Sequence, residues 1–377
     1  MEQGQAVEDQ FWGASPWCAS FHPASCPLPE WADFAVIGGG FTGLSATLWL
    51  RRLSPQSTVV LLEGRRLGSG ASGRTGGLIL PGTASGDQPG LGDVLNGFHE
   101  ILRETGIECS LALPGAWEIS HRQGFASSTL DWKDREPLRV AGEVPGGTVD
   151  AGELLDGLGQ AAAREGAYIH ELVLVRELRF RDPIEIESSR GILLSRRLLL
   201  STGAESLAMA GLGSRATPYF TLAVVTEPLG EERLTALGLG SRRPFYTLDL
   251  PYLWGRVMPD SGVMFGSGLV DFNAEAEYGS VHIQSSTCQA LLSKLMERVR
   301  GLHPALDSIK FTHQWGGPIL FPEAGAPFFG YHPQCSRVLV LAGYGGHGVA
   351  LSVYLGRWAA EVLARQRPLP EWGQISP

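Results

Sequence analysis

The chain has 377 residues, of which 44% are hydrophobic and 18% charged, with 50 glycines and a formal net charge of -9. It is too long for one compact core and too apolar for a disordered chain, so it suits two domains, or one large nucleotide-binding domain with an inserted partner. The acidic balance without a basic run argues against nucleic acid, and glycines gathered at turns exclude collagen-like and low-complexity readings.

Cys18, Cys26, Cys109, Cys288 and Cys335 are scattered and form neither C-x-x-C nor a zinc spacing. Reduced thiols in a cytoplasm are the simplest reading. The sequence shows no basic-then-apolar leader and no run of about 18 apolar residues, so neither a signal peptide nor a membrane span is expected.

In chain order, residues 1–32 contain Pro16, Pro23, Pro27 and Pro29, which exclude a continuous helix. Trp12, Trp17, Phe21 and Trp31 favour an arm lying on the folded body. Next comes Asp33 to Gly43, read DFAVIGGGFTG. A short apolar strand enters Gly38, Gly40 and Gly43 in G-x-G-x-x-G spacing, and a helical pattern follows. Gly38 permits the tight turn, Gly40 lets backbone approach a pyrophosphate, and Gly43 lets helix and strand pack closely. The helix N-terminus offers N–H groups and partial positive charge to phosphates. A second strand, Ser57 to Leu62, ends in Glu63, where an acidic side chain accepts hydrogen bonds from an adenosine ribose. The plainer alternative is a glycine turn in an ordinary α/β unit, with Glu63 a surface charge. The complete strand, turn, helix and strand context favours the dinucleotide.

Gly68 to Gly77, GSGASGRTGG, is loop by composition, and its small residues let backbone N–H groups converge on an anion or a polar ring edge. Arg74 reads equally as a structural ion pair or as a contact to cofactor or substrate. A helix is predicted over 94–105, strand-rich chain over 109–120, and a helix from an Asp150 N-cap to Gly166. Strands follow at 167–169, 173–180 and 197–200, the last entering the small-residue turn Ser201 to Ala204. Between Thr217 and about Thr312, antiparallel strands are predicted at 219–227, 245–248, 252–258 and 262–269, then a helix over 283–300. The tail returns to strand (337–342), glycine turn GYGGHG (343–348) and helix (349–364). Strand, glycine turn and helix thus open and close the chain. FAD is long enough to touch both, its ADP half on the first turn and its isoalloxazine near the last.

In combination, VIGGGFTGLSA with Glu63, GSGASGRTGG, LLLSTGA, YLWGR…FGSG, QWGGP and GYGGHGVALS resemble the FAD-dependent D-amino-acid-oxidase-like (DAO) superfamily. That group includes glycine oxidase, sarcosine oxidase and D-amino-acid dehydrogenases, and the blocks look nearest the γ-glutamylputrescine oxidoreductase type of amine oxidase. They span nearly the whole chain from about residue 33 and are specific for fold and cofactor, less so for substrate. The resemblance implies an α/β protein with a Rossmann-like FAD-binding domain, a glutathione-reductase-like βαβ unit with a parallel sheet, from residues 33–90, 145–216 and 313–377. An α+β substrate domain with a mixed or antiparallel sheet would come from 91–144 and 217–312.

Carried over by position, the resemblance implies that Gly38, Gly40 and Gly43 meet the pyrophosphate and Glu63 the ribose. Ser69, Gly70, Ala71, Ser72 and Arg74 would run along the ribityl chain and flavin, Val175 would present backbone to the adenine, and Thr202 and Gly203 would pass near the pyrophosphate. Gly345, Gly346, His347 and Gly348 would edge the flavin pyrimidine. The wider cofactor set takes in Phe41, Thr42, Gly64, Arg65, Thr75, Gly76, Gly77, Leu78, Ser201, Gly317, Gly343, Tyr344 and Val349. In such enzymes the α-hydrogen of a neutral amine passes as hydride to flavin N5 and the imine hydrolyses, with no obligatory side-chain base. A helix N-terminus near N1 and C2=O stabilises the reduced anion, and His347 either adds to this or packs within the turn. Around the reacting centre the resemblance points to Trp315, Tyr252, Trp254, Met264 and His347. Tyr246, Phe321 and Tyr344 would extend an aromatic pocket, which reads equally as core packing.

Departures from the family pattern matter for substrate. Trp315 stands where glycine-oxidase-like relatives hold a carboxylate with arginine, and an indole does not replace that fork. This favours an amine, or an amino acid whose carboxylate is held by Arg74 or Arg256. Ala350 and Met264 stand where sarcosine-oxidase-like members carry lysines, the second of which aids reaction with oxygen. An oxidase using O2 and a dehydrogenase passing electrons to a quinone or carrier both stay open, beside a flavoprotein with structural FAD. With no cysteine near Pro318 to Phe321, noncovalent FAD is expected. Oligomerisation is left open.

Overall fold

The computed structural model describes residues 11–122, 130–205, 207–271 and 281–373, so the first ten residues of the arm lie outside it. The opening strand, Trp31–Ile37, lies between Gly191–Leu200 and Val59–Leu62, parallel to both. Cys335–Ala342 and Tyr168–His170 extend these into a five-stranded parallel core. Side-chain alternation divides the apolar residues between two layers. Phe34, Val36, Val59 and Leu61 face the helices, while Ala35, Ile37, Val60 and Leu62 pack with strands Ile184–Ser188 and Gly191–Leu200. Near-continuous apolar strands are what a sheet covered on both faces requires.

The helix Phe41–Leu53 packs along the closing helix Gly348–Leu363. A Cβ added at Gly356 would lie 2.7 Å from the Thr42 carbonyl oxygen, and Ser45 Oγ donates to the Val353 carbonyl at 2.7 Å. Both helices start at the ends of parallel strands, so their N-termini open on the same edge of the sheet. The helix Ala151–Arg164 is capped by Asp150, whose carboxylate accepts from the Glu153 N–H at 2.9 Å. The long helix runs Ser286–Leu302, with Ser285 as its N-cap. None of the described helices is long and apolar enough to cross a membrane.

An eight-stranded second sheet stands over that edge, in the order 311–322, 216–226, 263–271, 254–257, 245–247, 116–120, 137–144 and 132–133. Its pairs are antiparallel except 245–247 with 116–120. The strand Phe311–Pro322 falls in a segment read from the sequence as nucleotide-binding, yet it forms this sheet's edge against Ala216–Thr226. Conversely the helix Val94–Thr105, read with the substrate segments, packs into the first sheet's helical core. Local pattern sets a strand or helix; it does not choose the partner. In 109–120 only Ala116–Ser120 is strand, because Pro114 and Gly115 interrupt the pattern.

Candidate active site

A cavity of about 1330 Å³ lies between the parallel edge and the second sheet. It is lined by 38–42, 63–65, 173–175 and 201–205, by the loop residues 70–72 and 74–76, and by 343–349. Tyr246, Tyr252, Trp254 and 317–322 form its roof.

The opening turn is built by steric necessity. Gly38 has φ +108°, and a Cβ on Gly43 would sit 1.9 Å from the Gly38 carbonyl oxygen. A Cβ on Gly40 would meet Ser72 Oγ at 2.7 Å. Ser72 Oγ accepts from the Phe41 N–H at 3.0 Å, and the residue before the helix supplies no side-chain cap. The remaining first-turn N–H groups are therefore left for an anion in the cavity. Glu63 lies beside the turn: Oε2 accepts from the Gly39 N–H at 2.7 Å and Oε1 from the Arg65 N–H at 2.8 Å.

Burial pushes the Glu63 carboxyl up to about 7, outweighing those two N–H donors and the Arg65 charge. A raised folded pKa favours the acid form in the fold, so this group's contribution is complete below the ordinary value of 4.5 and lost as pH rises through about 7. Without a ligand, the protein is expected to lose stability across that window. About 3 kcal/mol is the ceiling, since Glu63 still opens on the cavity. Glu63→Gln should flatten this slope in pH-dependent thermal melts. FAD affinity should rise through the same window, because only the carboxylate accepts from two ribose hydroxyls. A slope unchanged by the substitution would contradict this.

The closing turn places Gly345 at φ +57° and Gly346 at φ +95°. Tyr344, between the glycines, bonds its hydroxyl to Thr42 Oγ1 at 2.7 Å, so the opening and closing turns are directly tied. His347 precedes the closing helix without capping it, and its Nδ1 is buried without a sound hydrogen bond. Burial lowers its pKa, offset only in part by the Gly345 backbone, so the ring is neutral near pH 7.

The loop 70–76 is gripped by the N-terminal arm. Trp17 Nε1 donates to the Thr75 carbonyl at 2.6 Å, and Ser15 Oγ donates to the Gly73 carbonyl at 2.9 Å. Arg74 donates to the Gly13 carbonyl at 2.7 Å, its guanidinium 5.2 Å from the Trp12 ring. Arg256 donates to the Val149 carbonyl at 2.6 Å, lies 5.7 Å from the Trp17 ring, and is not among the cavity-lining residues. Arg256 is therefore not placed to take a substrate carboxylate, and Arg74, although it borders the cavity, has its guanidinium engaged by the arm.

Most residues singled out from the sequence border this cavity, including Val175, Ser201 to Gly203, Gly317, Tyr252 and Trp254. Gly43, Ser69 and Gly77 support the turns from behind without lining it. Trp315 and Met264 also do not line it. Both are fully buried in the packing between sheet and helices, with Trp315 Nε1 donating to the Arg74 carbonyl at 3.0 Å. Glu118, Thr221 and Ser267 line the cavity and were not legible as site residues. They reach it through strand pairing between distant segments, which leaves no local signal.

The site suits FAD: two helix N-termini whose preceding residues give no side-chain cap, a half-buried carboxyl beside the glycine turn, and one continuous cavity between them. Residues 33–362 match the DAO family, described as FAD dependent oxidoreductase. The chain is 26% identical to a probable oxidoreductase OrdL of Haemophilus influenzae, over 89% of this chain and 83% of that protein. It is 25% identical to γ-glutamylputrescine oxidoreductase of Escherichia coli, over 88% and 83%. It is 24% identical to glycine oxidase of Geobacillus kaustophilus, over 89% and 93%. Among solved structures, that organism's glycine oxidase superposes with TM-score 0.68 at 18% identity, covering 90% of this chain and 96% of its own. The amino acid oxidase NikD reaches 0.70 at 14% identity, covering 93% and 98%. At these identities the likeness establishes the fold.

Proposed function

The chain belongs to the DAO family of FAD-dependent oxidoreductases, and on that premise we propose that it oxidises the CH–NH bond of an amine or amino acid to an imine, which water then hydrolyses. The observation that carries this reading is the cavity itself, which joins the opening turn and Glu63 to the closing turn beneath an aromatic roof. Relatives bearing amine and amino-acid oxidoreductase names along most of their length support it.

When bound, FAD supplies the hydride acceptor, and its electrons then pass to O2, a quinone or a carrier. The chain's own part is binding, orientation and shielding. Gly38, Gly40 and the N–H groups of the opening helix hold the pyrophosphate, and Glu63 accepts from the ribose. The N-terminus of the closing helix, with neutral His347, offers partial positive charge to the pyrimidine edge. Trp254 and Tyr252 hold the amine from above and limit water. No cysteine is among the described lining residues, which supports noncovalent FAD. We assign the parallel sheet to a cofactor domain and the eight-stranded sheet to a substrate domain. No lysine is among the described lining residues either, which keeps a dehydrogenase beside the oxidase reading.

The test is anaerobic mixing of the FAD-loaded protein with primary and secondary amines and D- and L-amino acids. Bleaching of the flavin band by at least one class is expected, without any nicotinamide nucleotide. Bleaching by NADH alone, or by no compound in the set, would sink the reading. Admitting air afterwards separates the acceptors: prompt reoxidation with peroxide marks an oxidase, and a band that stays bleached for minutes marks a dehydrogenase.

A further inference from the structure

Resting on the amine reading above, we infer that the substrate carries a second cationic group and that Glu118, held by Tyr246, recognises it. The argument starts from a row of residues across the roof. Cross-strand pairing sets Ala223, Gly266, Trp254, Tyr246, Glu118 and Gly142 side by side, one per strand. In-register residues on neighbouring strands point to the same face, and each step is about 4.8 Å.

The two glycines make room for their large neighbours. A Cβ on Gly266 would lie 1.9 Å from the Trp254 ring, and one on Gly142 would lie 2.9 Å from Glu118 Oε2. Trp254 therefore lies flat over Gly266, and the Glu118 carboxylate lies over Gly142. Between them Tyr246 donates its hydroxyl to Glu118 Oε1 at 2.8 Å. Trp254, Tyr246 and Glu118 all border the cavity. The other end of the row is fixed to the cofactor loop, since a Cβ on Gly76 would meet the Trp254 ring at 2.4 Å. An aromatic path thus leads away from the loop and ends, two strands or about 10 Å beyond Trp254, on a carboxylate.

Charge gives the path its selectivity. Among the described roof residues that line the cavity, Glu118 alone is charged. Arg74 is engaged by the arm, Arg256 by the Val149 carbonyl and Trp17, and Arg65 by Glu205 beside Glu63. A carboxylate on the substrate would find no cationic partner in the roof and would face a like charge. An ammonium or guanidinium would gain a charge-assisted hydrogen bond and two aromatic faces along its chain. The substrate class is therefore a diamine, a polyamine or an amino-guanidine with several methylenes between its ends.

The test uses FAD-loaded protein without oxygen, titrated with three compounds of equal chain length: n-pentylamine, cadaverine and δ-aminovaleric acid. Perturbation of the visible flavin band reports binding independently of turnover. Cadaverine is expected to bind about tenfold more tightly than pentylamine, as a hydrogen bond between charged groups implies. Aminovaleric acid should bind more weakly than both. In Glu118→Gln the cadaverine to pentylamine ratio should fall close to one. Tyr246→Phe, which keeps the carboxylate, should retain a preference for cadaverine. FAD content and melting temperature confirm that each variant is folded. Equal binding of cadaverine and pentylamine by the native protein, or a ratio untouched in Glu118→Gln, would overturn the inference while leaving amine oxidation standing. If no amine perturbs or bleaches the flavin, the amine reading falls and this inference falls with it.

Discussion

Gly43→Ala is expected to give a protein that retains no FAD and melts far below the parent. The added Cβ would lie 1.9 Å from the Gly38 carbonyl oxygen and 2.9 Å from Ser201 Oγ. The nearest obstacle is backbone at the end of a strand whose last four residues are buried, so it cannot rotate aside. Nor can the helix retreat, because it packs so closely on the closing helix that a Cβ on Gly356 there would lie 2.7 Å from the Thr42 carbonyl oxygen. Overpacking between two fixed elements belongs to the exceptional class of substitutions, above about 4 kcal/mol. Gly40→Ala provides the contrast. Its Cβ would meet the Ser72 hydroxyl, a group that can turn away, so the fold should survive and FAD affinity should fall. The flavin-to-protein absorbance ratio after desalting, read with a thermal melt, distinguishes the two. A yellow Gly43→Ala protein with the parental melt would show that helix and strand are not packed as described.

Trp17→Ala should be the second most damaging of the substitutions considered, although it lies in an arm that sequence alone leaves without a role. Trp17 is 6% exposed, its indole N–H bonds the Thr75 carbonyl, and its ring covers the buried Arg256 guanidinium. Removing a buried Trp side chain costs about 3–5 kcal/mol. Part of that loss should appear as weaker FAD retention, because Thr75 belongs to the loop lining the cavity. Trp17→Phe keeps the ring over Arg256 and loses the hydrogen bond, so its cost should be nearer about 1–2 kcal/mol. Melts of FAD-loaded and FAD-stripped protein separate the two effects. If both forms of Trp17→Ala melt as the parent does, the arm is not a structural part of the site.

What the sequence made legible was local. The turn Gly38 to Gly43 and the acid Glu63 follow from one strand, one helix and the next strand, and the structure sets Glu63 beside that turn, where it accepts from the Gly39 N–H. GYGGHG announced a second turn, and the Tyr344 to Thr42 bond joins it to the first. What lay hidden depends on pairing across the fold. Glu118 and Tyr246 stand 128 positions apart and meet only because strand 116–120 runs parallel to 245–247. The edge strand Phe311–Pro322 carries Gly316 and Gly317 and precedes the two strands that lead to the closing turn, so nothing local assigns it to the second sheet. Family resemblance pointed to Trp315 and Met264 at the reacting centre, and both are buried in the interface beside the cavity. Side-chain direction along a strand sets the face, but what covers that face is decided elsewhere, here by the Arg74 backbone and the helical core.

The most direct test of one cofactor spanning both turns is a crystal structure of the FAD-loaded protein. The account predicts the pyrophosphate at the N-terminus of Phe41–Leu53, the adenosine ribose on Glu63, and the flavin ring between Trp254 and the N-terminus of Gly348–Leu363. Density for the flavin ring outside the cavity, or an adenosine half resting on the closing turn, would contradict it.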